Sequence, residues 1–426
     1  MFKTIILSTG VLLSGISVAQ SQNLIAGYLD TTATGSALKI NMTQASQDGY
    51  NMVIFGFAKI NDTSIDFYDS TSAPVLKQKL SDAKLNGMRV LISVGGQANT
   101  FNPGNLSSTQ ITELASNIVN FINTNQLDGI DFDIEVQTDS NLLLNLLQKI
   151  RYFDSNVLLT AAPQINNGKL VTTGNNQDYQ AAINAGLFNY LFLQEYNTPP
   201  QNDISYISTI YPTIKAQVPS QTKIVTGQPT AAVAAGTISI YHPSAGVTYN
   251  TQDVTAKMLP ELKKIYGDNQ YAGVMGWSLN VDYDAADYGD ATHIAGTYAY
   301  GLKDCIISNQ CDTPPTPKPA VDNYTLQTSN TDSAKGLGII MTIKDTSGNS
   351  FTTDYITPSS SKVYNANSNP SASTIEGKKT LTVHWVTYSG GPSGDCPGTF
   401  DLTLNMNIMV NPTYKTCAFS VLPSKK

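Results

Sequence analysis

Short apolar runs alternate with longer amphipathic stretches from Leu24 to Leu279. Short runs rich in branched side chains predict buried strands, whereas apolar residues spaced three and four apart predict helices. The predicted strands are Leu24–Leu29, Met52–Ala58, Arg89–Val94, Gly129–Glu135, Val157–Ala162, Tyr190–Glu195, Lys223–Thr226 and Gly273–Leu279. The predicted helices, several preceded by a Ser, Asp or Thr cap, include Ala73–Asn86, Thr109–Thr124, Asn141–Tyr152 and Thr251–Tyr266.

This alternation defines the fold class of the first part of the chain, residues 20–311. Eight strands that alternate with helices over about 280 residues form the pattern that a (β/α)8 barrel requires. The competing interpretation is a doubly wound open sheet. It is disfavoured because such sheets usually have fewer strands, and because no G-x-G-x-x-G sequence follows the first predicted strand.

The last part of the chain, residues 322–426, follows a different period. In Phe400–Ile408 apolar and polar residues alternate strictly, which is typical of a strand with one buried and one wet face. Together with three further runs it predicts a small antiparallel β-sandwich. These runs are Gly338–Ile343, Leu381–Thr387 and Cys417–Val421. Residues 312–321 before it are rich in proline, which predicts a stiff linker.

The N-terminus has the layout of an export signal. Lys3 is followed by the apolar run Thr4–Val18, and the segment 1–19 ends in small residues before Gln20. A membrane anchor is the alternative, but the run is short and interrupted by Gly10 and Gly15. We therefore expect a secreted protein, extracellular or periplasmic, that has no membrane segment.

The charge of the chain excludes several classes of partner. Only 13% of the residues are charged and the formal net charge is −7. Arginine occurs twice, at Arg89 and Arg151. Binding to nucleic acid needs a basic surface, so we expect no nucleic-acid partner. Coiled coils and disordered acidic tails need more charge than this chain has. We expect a monomer.

All four cysteines lie in the last third of the chain: Cys305, Cys311, Cys396 and Cys417. Their even number in an exported protein favours disulfides, and three connectivities remain open. The pairs Cys305–Cys311 and Cys396–Cys417 close the shortest loops. No Cys or His spacing resembles a zinc site, and the three histidines are scattered, so we expect neither metal nor cofactor.

The segment Leu127–Glu135 contains the most informative chemistry. Along an extended strand Asp131, Asp133 and Glu135 point to one face, and the apolar residues between them point to the other. In a barrel the acidic face looks into the interior, where clustered and partly buried carboxylates retain a proton near neutral pH. Glu135, nearest the C-terminal mouth, is the natural general acid.

A metal site and a solvated edge are the alternatives for these carboxylates. Three carboxylates on one strand without a histidine form a poor cage for a transition metal. A solvated edge is hard to reconcile with the apolar residues that alternate with the acids.

At this point the sequence resembles a known family. Residues Asp128-Gly-Ile-Asp-Phe-Asp-Ile-Glu135 match the D-G-x-D-x-D-x-E signature of family 18 glycoside hydrolases, the chitinases and their relatives, which are (β/α)8 barrels with this motif on strand four. Four more segments resemble motifs of that family in the expected order: Ser93-Val-Gly95-Gly96, Thr160-Ala-Ala-Pro-Gln164, Leu193-Gln194-Glu-Tyr196-Asn197 and Gly273-Val-Met-Gly-Trp277-Ser-Leu-Asn280.

The resemblance implies a retaining, substrate-assisted hydrolysis, an exception to the usual scheme of two carboxylates. Glu135 would protonate the glycosidic oxygen while the N-acetyl carbonyl oxygen of the sugar attacks C1. Asp133 would orient the acetamido group and stabilise the oxazolinium intermediate. Asp131 would share a proton with Asp133.

The resemblance also implies the substrate contacts. Tyr196 would hydrogen-bond the acetamido oxygen, and Trp277 would form the apolar floor under the distorted sugar, although a buried core role is the alternative for this tryptophan. The other predicted contacts are Gln164, Gln194, Asn197 and Tyr28. The residues predicted to shape the site are Asp128, Gly129, Ser93, Gly95 and Gly96, the last three either as a packed turn or in direct contact.

These residues predict an exported endochitinase that acts on chitin or N-acetylglucosamine oligosaccharides. The interval Gln228–Ala272 already contains a predicted helix, so it has no room for the insertion that deepens the groove in some family members. Two alternatives remain: an endo-β-N-acetylglucosaminidase that acts on N-glycans, and a catalytically silent chitin-binding lectin. The lectin is disfavoured because the acid, Glu135, is present.

The role of the C-terminal part rests on architecture alone. We expect a carbohydrate-binding module, with a structural or adhesion module as the alternative. Trp385 shares a strand face with Leu381 and Val383, which predicts a core position. Tyr388 and Tyr414 are the candidate sugar platforms.

Overall fold

The computed structural model describes residues 23–32, 40–69, 73–135, 139–171, 179–313, 315, 318, 325–330, 337–344, 350–352, 356–365, 377–387, 393–402, 406–412 and 417–423. The predicted export signal at residues 1–19 lies outside these ranges. Among the described residues we find no helix with the length and apolar character that a membrane span requires.

Eight parallel strands close into a barrel. Each pairs with the next, and the first strand pairs with both the second and the last, which closes the sheet. In chain order the barrel strands are β1 (Leu24–Asp30), β2 (Met52–Asn61), β4 (Arg89–Gly95), β6 (Gly129–Asp133), β7 (Leu158–Ala161), β10 (Tyr190–Gln194), β11 (Lys223–Pro229) and β12 (Tyr271–Trp277). The predicted (β/α)8 barrel is thereby confirmed, with strand ends that differ by a few residues.

Short strands decorate the loops between the barrel strands. They are β3 (Ser64–Phe67), β5 (Phe101–Asn102), β8 (Ile165–Asn166) and β9 (Lys169–Leu170). The helices are α1 (Met42–Asp48), α2 (Ala73–Leu85), α3 (Ser108–Thr124), α4 (Ser140–Phe153), α5 (Gln180–Asn184), α6 (Tyr206–Lys215), α7 (Thr251–Ile265), α8 (Leu279–Asp284) and α9 (Thr297–Ser308). A 3-10 turn over Ala285–Tyr288 follows α8.

Polar caps fix where the helices begin. The Ser107 hydroxyl accepts from the backbone N–H of Gln110, whose side chain reaches back to Ser107, and this capping box starts α3. Asn250 accepts from the N–H of Asp253 at the start of α7. Such caps satisfy backbone donors that the first helical turn leaves unpaired.

The barrel has two apolar layers, set by the period-two alternation of its strands. In β1 the side chains of Leu24, Ala26 and Tyr28 point into the barrel, and Ile25 and Leu29 pack outward under the helices. The inward layer is apolar at the N-terminal ends of the strands. It becomes polar towards the C-terminal mouth, where the acids of β6 lie.

Beyond residue 324 the described chain forms strands and one turn segment, residues 356–360, with no helix in these described parts. The strands are β13 (Thr325–Asn330), β14 (Leu337–Lys344), β15 (Ser350–Thr352), β16 (Ser361–Asn365), β17 (Gly377–Thr387), β18 (Ser393–Leu402), β19 (Met406–Pro412) and β20 (Cys417–Pro423). They make two four-stranded sheets, β16-β13-β19-β20 and β15-β14-β17-β18. How the sheets pack is not among the described contacts, so the sandwich stays a prediction.

One predicted strand in this region is divided between the two sheets. Phe400–Leu402 belongs to β18 in one sheet and Met406–Ile408 to β19 in the other, and residues 403–405 lie outside the described parts. Alternation of polar and apolar residues records which face is buried, and it does not show where the chain passes from one sheet to another.

A disulfide joins Cys305 in helix α9 to Cys311 just beyond it, and this is one of the two pairs that close the shortest loops. The side chains of Cys396 and Cys417 and the candidate platforms Tyr388 and Tyr414 lie outside the described parts, so those predictions stand untested. Lys318, in the proline-rich segment, is buried against the barrel, where its Nζ lies 2.6 Å from the Asp48 carboxylate.

Candidate active site

Strand β6 places its acids in the barrel mouth. Asp131 and Asp133 are 0% and 4% exposed, and Glu135 is half-buried two residues past the end of the strand. Ile130, Phe132 and Ile134 are packed on the opposite face. The strand therefore turns all three carboxylates to the interior, as the sequence predicts.

Asp131 is held by three hydroxyl groups. Its Oδ2 accepts from Tyr28 at 2.8 Å and from Ser93 at 2.7 Å, and its Oδ1 accepts from Thr160 at 2.6 Å. Ser93 and Thr160 lie directly beside Asp131 in the parallel register of β4, β6 and β7. Burial raises the pKa of Asp131, and the hydroxyl donors oppose that rise.

Asp133 has fewer donors and two acidic neighbours. Its Oδ1 accepts from the Gln194 Nε2 at 2.9 Å, and the same amide donates to the Ala162 carbonyl oxygen at 3.0 Å. Burial raises the pKa of Asp133 well above its ordinary value, and the charges of Glu135 and Asp131 add to the rise. Asp133 is thus the member of the cluster that is most suited to retain a proton.

Glu135 shares this environment. Burial raises its pKa, and hydrogen bonding from Gln194 opposes the rise. Among the described residues, no lysine, arginine or histidine forms an ion pair with any of the three acids. Two like charges without a cation titrate as a coupled system, so Asp133 and Glu135 give up their protons at different pH values.

Two aromatic residues stand at the C-terminal ends of barrel strands β10 and β12, which are separated by β11. Tyr196 follows β10 and is 8% exposed. Burial raises the pKa of its hydroxyl, and the charges of Asp133 and Glu135 add to the rise. Trp277 ends β12 and is half-buried. It packs against the inner apolar cluster and the Tyr28 ring but is not sealed, so a role as the floor of a subsite stays a prediction.

Tyr28 lies beneath this surface. Its side chain is 1% exposed, its ring packs 5.9 Å from that of Trp277 between centroids, and its hydroxyl is engaged by Asp131. The prediction of a direct substrate contact is therefore replaced by a supporting role.

The two motif glycines after Ser93 allow a close approach to β6. Both have positive φ, 113° at Gly95 and 64° at Gly96, and the Gly96 N–H donates to the Asp133 carbonyl oxygen at 2.6 Å. A Cβ on Gly95 would meet that oxygen at 2.0 Å, and one on Gly96 would meet the Phe57 ring at 2.3 Å. They form a packed turn beside the acids.

The beginning of the motif lies at the other end of β6. Asp128 accepts from the Val90 N–H at 2.7 Å and from Lys84 Nζ at 2.8 Å. A Cβ on Gly129 would meet the Leu158 carbonyl oxygen at 2.1 Å. Both residues are structural, and neither belongs to the cluster of acids.

The remaining predicted contacts separate into two groups. Gln194 is in the cluster, and Gln164 lies beside it in a bridge between the two backbones. Asn197 is exposed and its Oδ1 accepts from the Gly236 N–H at 3.1 Å, which ties it to the loop after β11.

Two residues of the site are missed by sequence reasoning. Thr160 lies in a segment that matches the family, and its bond to Asp131 follows from strand register once the barrel order is known. Tyr179 has no such signal. It lies outside every motif, yet its hydroxyl contacts the backbone of Phe132 and Ile134.

Comparisons with known proteins agree with this geometry. The family model described as Glycosyl hydrolases family 18 matches residues 24–253. An acidic endochitinase of Phaseolus angularis is 29% identical over 281 residues, which cover 62% of this chain and 84% of that protein. An acidic endochitinase of Cucumis sativus is 29% identical over 302 residues, 64% of this chain and 89% of that protein.

A solved structure shows the same fold. A Streptomyces coelicolor protein described as a candidate chitinase A superposes with a TM-score of 0.50 at 20% identity, covering 66% of this chain and 100% of that one. At this identity the similarity concerns the fold alone.

Proposed function

Because the chain belongs to family 18 of the glycosyl hydrolases, we propose that it is an endochitinase that cleaves β-1,4 bonds between N-acetylglucosamine units. The observation that carries the proposal is the row of three acids on β6, all with raised pKa and none paired with a cation among the described residues. The names of the curated relatives favour chitin as the polymer.

Glu135 serves as general acid and then as general base. Its raised pKa keeps the carboxyl protonated above the ordinary range for glutamate, so it has a proton for the glycosidic oxygen. As the bond from C1 to that oxygen breaks, the N-acetyl carbonyl oxygen forms a new bond to C1. Water then opens the oxazolinium ring and gives its proton to Glu135, and the configuration at C1 is retained.

Asp131 and Asp133 share a proton that is distinct from the one that Glu135 transfers. Three hydroxyl donors stabilise negative charge on Asp131, whereas Asp133 has one amide donor and a larger rise in pKa. We therefore assign the charge to Asp131 and the proton to Asp133 in the free enzyme. In the substrate complex the shared proton passes to Asp131, so the Asp133 carboxylate accepts from the acetamido N–H, orients the acetamido oxygen towards C1 and stabilises the positive oxazolinium ring.

The proposed sugar contacts come from other strands of the barrel. Tyr196 hydrogen-bonds the acetamido oxygen, and the Trp277 ring supports the apolar face of the distorted sugar. Gln194 fixes Asp133 and contacts the same subsite with Gln164. Asn197 acts at the edge of the subsite through the loop that it holds.

An open groove supports cleavage within the polymer. Residues 230–270, all of them described, contain helix α7 and an irregular loop, and they include no inserted α+β domain. A groove without such a wall admits the middle of a chain, so we propose endo cleavage. Secretion through residues 1–19 and polymer binding by residues 322–426 complete the proposal as predictions from the sequence.

The test is a product analysis with defined oligomers of N-acetylglucosamine. We expect internal cleavage and the β anomer as the first product by NMR, and inhibition by a thiazoline that mimics the oxazolinium ion. An α product would contradict the assisted mechanism. Release of glycans from a glycoprotein, with no cleavage of chitin oligomers, would favour the endo-β-N-acetylglucosaminidase. Binding without any hydrolysis would favour the lectin.

A further inference from the structure

We propose that Tyr179 is a positioning residue for Glu135, because its hydroxyl replaces the strand pairing that β6 loses just before this acid. The inference rests on the proposed function and adds a residue to its machinery. Tyr179 precedes α5, far from the family motifs, and its side chain is 0% exposed.

Strands β6 and β7 form a parallel ladder that ends before Glu135. The two strands are paired from Gly129 and Leu158 to Phe132 and Ala161, and the Ala162 N–H donates to the Phe132 carbonyl oxygen at 3.1 Å. In a regular parallel ladder the next bond would run from the Ile134 N–H to the Ala162 carbonyl oxygen.

That bond is replaced by two side chains. The Ile134 N–H donates to the Tyr179 hydroxyl at 2.5 Å, and the Ala162 carbonyl oxygen accepts from Gln194 Nε2 at 3.0 Å. The strands can therefore separate at this point without leaving a buried backbone group unpaired. The separation occurs one residue before Glu135, where the acid must leave the sheet to reach a substrate.

The Tyr179 hydroxyl binds β6 on both sides of Asp133. It donates to the Phe132 carbonyl oxygen at 2.9 Å and lies 3.4 Å from the Ile134 carbonyl oxygen, in addition to the bond from the Ile134 N–H. The ring is fixed by an edge-on contact with Phe188, with centroids 6.3 Å apart. The Tyr179 side chain therefore holds the backbone of β6 on both sides of Asp133 and directly before Glu135.

This geometry predicts an effect on turnover and not on binding. Tyr179 contacts the backbone of β6 from the outer layer, whereas the proposed sugar contacts are Tyr196, which follows β10, and Trp277, which ends β12. Loss of the hydroxyl removes its bonds to Phe132 and Ile134, so the backbone before Glu135 can shift and the acid can move towards water. Its pKa then falls towards the ordinary range for glutamate, because solvation favours the charged form.

The test is Tyr179→Phe, which keeps the ring. We expect kcat for chitin oligomers to fall by about 10- to 100-fold with KM within about twofold, and the basic limb of the pH profile of kcat to move to lower pH. In the Glu135→Gln background the same substitution should have little further effect, since the two residues act on one step.

The matched control is Tyr298→Phe. Tyr298 is also 0% exposed, and its hydroxyl donates to the Met275 carbonyl oxygen of β12 at 2.9 Å. It should lose stability and keep kcat and its pH profile. If Tyr179→Phe behaves like this control, Tyr179 is merely structural and the proposal is wrong, while the chitinase assignment stands. An inactive wild-type protein would instead contradict the proposed function.

A measurement on the wild-type protein covers the case in which Tyr179→Phe does not fold. Hydrogen exchange should show the Ile134 amide protected to the same degree as the paired amides of β6. Exchange at the rate of an open loop would overturn the proposal, because the hydroxyl would then not hold this peptide.

Discussion

Two groups of buried carboxylates in this protein are stabilised in different ways. In the barrel mouth Asp131 and Asp133 are surrounded by hydroxyl groups and an amide. On the outer flank of the barrel the buried acids Asp48 and Asp282 face a lysine and a histidine, respectively. Lys318 Nζ lies 2.6 Å from Asp48 Oδ2, and His293 Nε2 lies 3.1 Å from Asp282 Oδ1.

The difference shows how a fold separates structural acids from reactive ones. Burial of a carboxylate is costly unless a positive charge or a proton neutralises it. On the flank, burial opposes a charge on His293, yet hydrogen bonding and charge attraction from Asp282 raise the pKa of the imidazole. In the barrel mouth, as far as the chain is described, no cation neutralises the acids. A retained proton must then do so, and a retained proton is what an acid catalyst needs.

Replacement of Glu135, the last of the three acids, has the largest expected effect on activity. Glu135→Gln should keep the fold and lower kcat for chitin oligomers by about 10³-fold or more, because the amide has no proton to transfer. Asp128→Asn is the matched control, an acid of the same motif that is bonded to Lys84 and the Val90 N–H at the far end of β6. We expect it to keep kcat within a few-fold. Near-normal hydrolysis by Glu135→Gln would end the assignment of the acid.

A smaller effect is expected on the flank, and on stability only. Lys318→Met leaves the Asp48 charge buried without its partner, so the free energy of unfolding should fall by about 3 kcal/mol, measured by denaturant unfolding. Activity below the unfolding transition should be unchanged. The double variant Lys318→Met/Asp48→Leu removes both charges and should recover most of the loss. A loss of kcat in the folded single variant would contradict the separation between the two regions.

The pH dependence of activity reports the protonation of the acids in the barrel mouth. Burial raises the pKa of Glu135, so the active, protonated form persists above the ordinary glutamate pKa of about 4.3. Above the raised pKa, kcat/KM should fall about tenfold for each pH unit. In Asp133→Asn the limb should stay at the same pH, because Asp133 already carries a proton in the free enzyme and burial is what raises the pKa of Glu135. A limb at the ordinary value in the wild-type protein would contradict a raised pKa for the acid.

Much of this arrangement could be predicted from the sequence, for identifiable reasons. The barrel follows from alternation of short and long patterns, and the inward acids follow from the period of two in β6. Partners that are distant in the chain could not be found in this way. Tyr28 and Thr160 reach Asp131 across 103 and 29 positions, and only strand register brings them together. Lys318 is separated from Asp48 by 270 positions, inside a segment that composition identifies as a linker.

Within the described chain, Glu195 is a buried acid that is neither paired with a cation or histidine nor part of the cluster in the barrel mouth. Its replacement has the smallest expected effect of the variants proposed. Glu195 is 1% exposed on the outer side of the barrel directly after β10, its Oε2 accepts from Gln228 Nε2 at 2.9 Å, and no described residue gives its Oε1 a hydrogen bond. Burial raises its pKa well above the ordinary value, with the Gln228 hydrogen bond opposing. Its titratable neighbours Tyr206, Tyr271 and Tyr298 also have raised pKa values, which keeps them neutral.

On this distinction Glu195 carries a proton in the native state, and its place in the outer layer, on the face opposite to Gln194, gives it no role in the reaction. An acid with a raised native pKa contributes stability that is complete below its unfolded pKa and is lost as the pH rises towards the native value. Glu195→Gln should therefore flatten the decline of Tm above about pH 4.3, with a gain of about 1 kcal/mol by neutral pH, and leave kcat unchanged. A tenfold loss of kcat would place Glu195 in the active site, and an unchanged pH profile of Tm would mean that Glu195 is ionised in the native barrel.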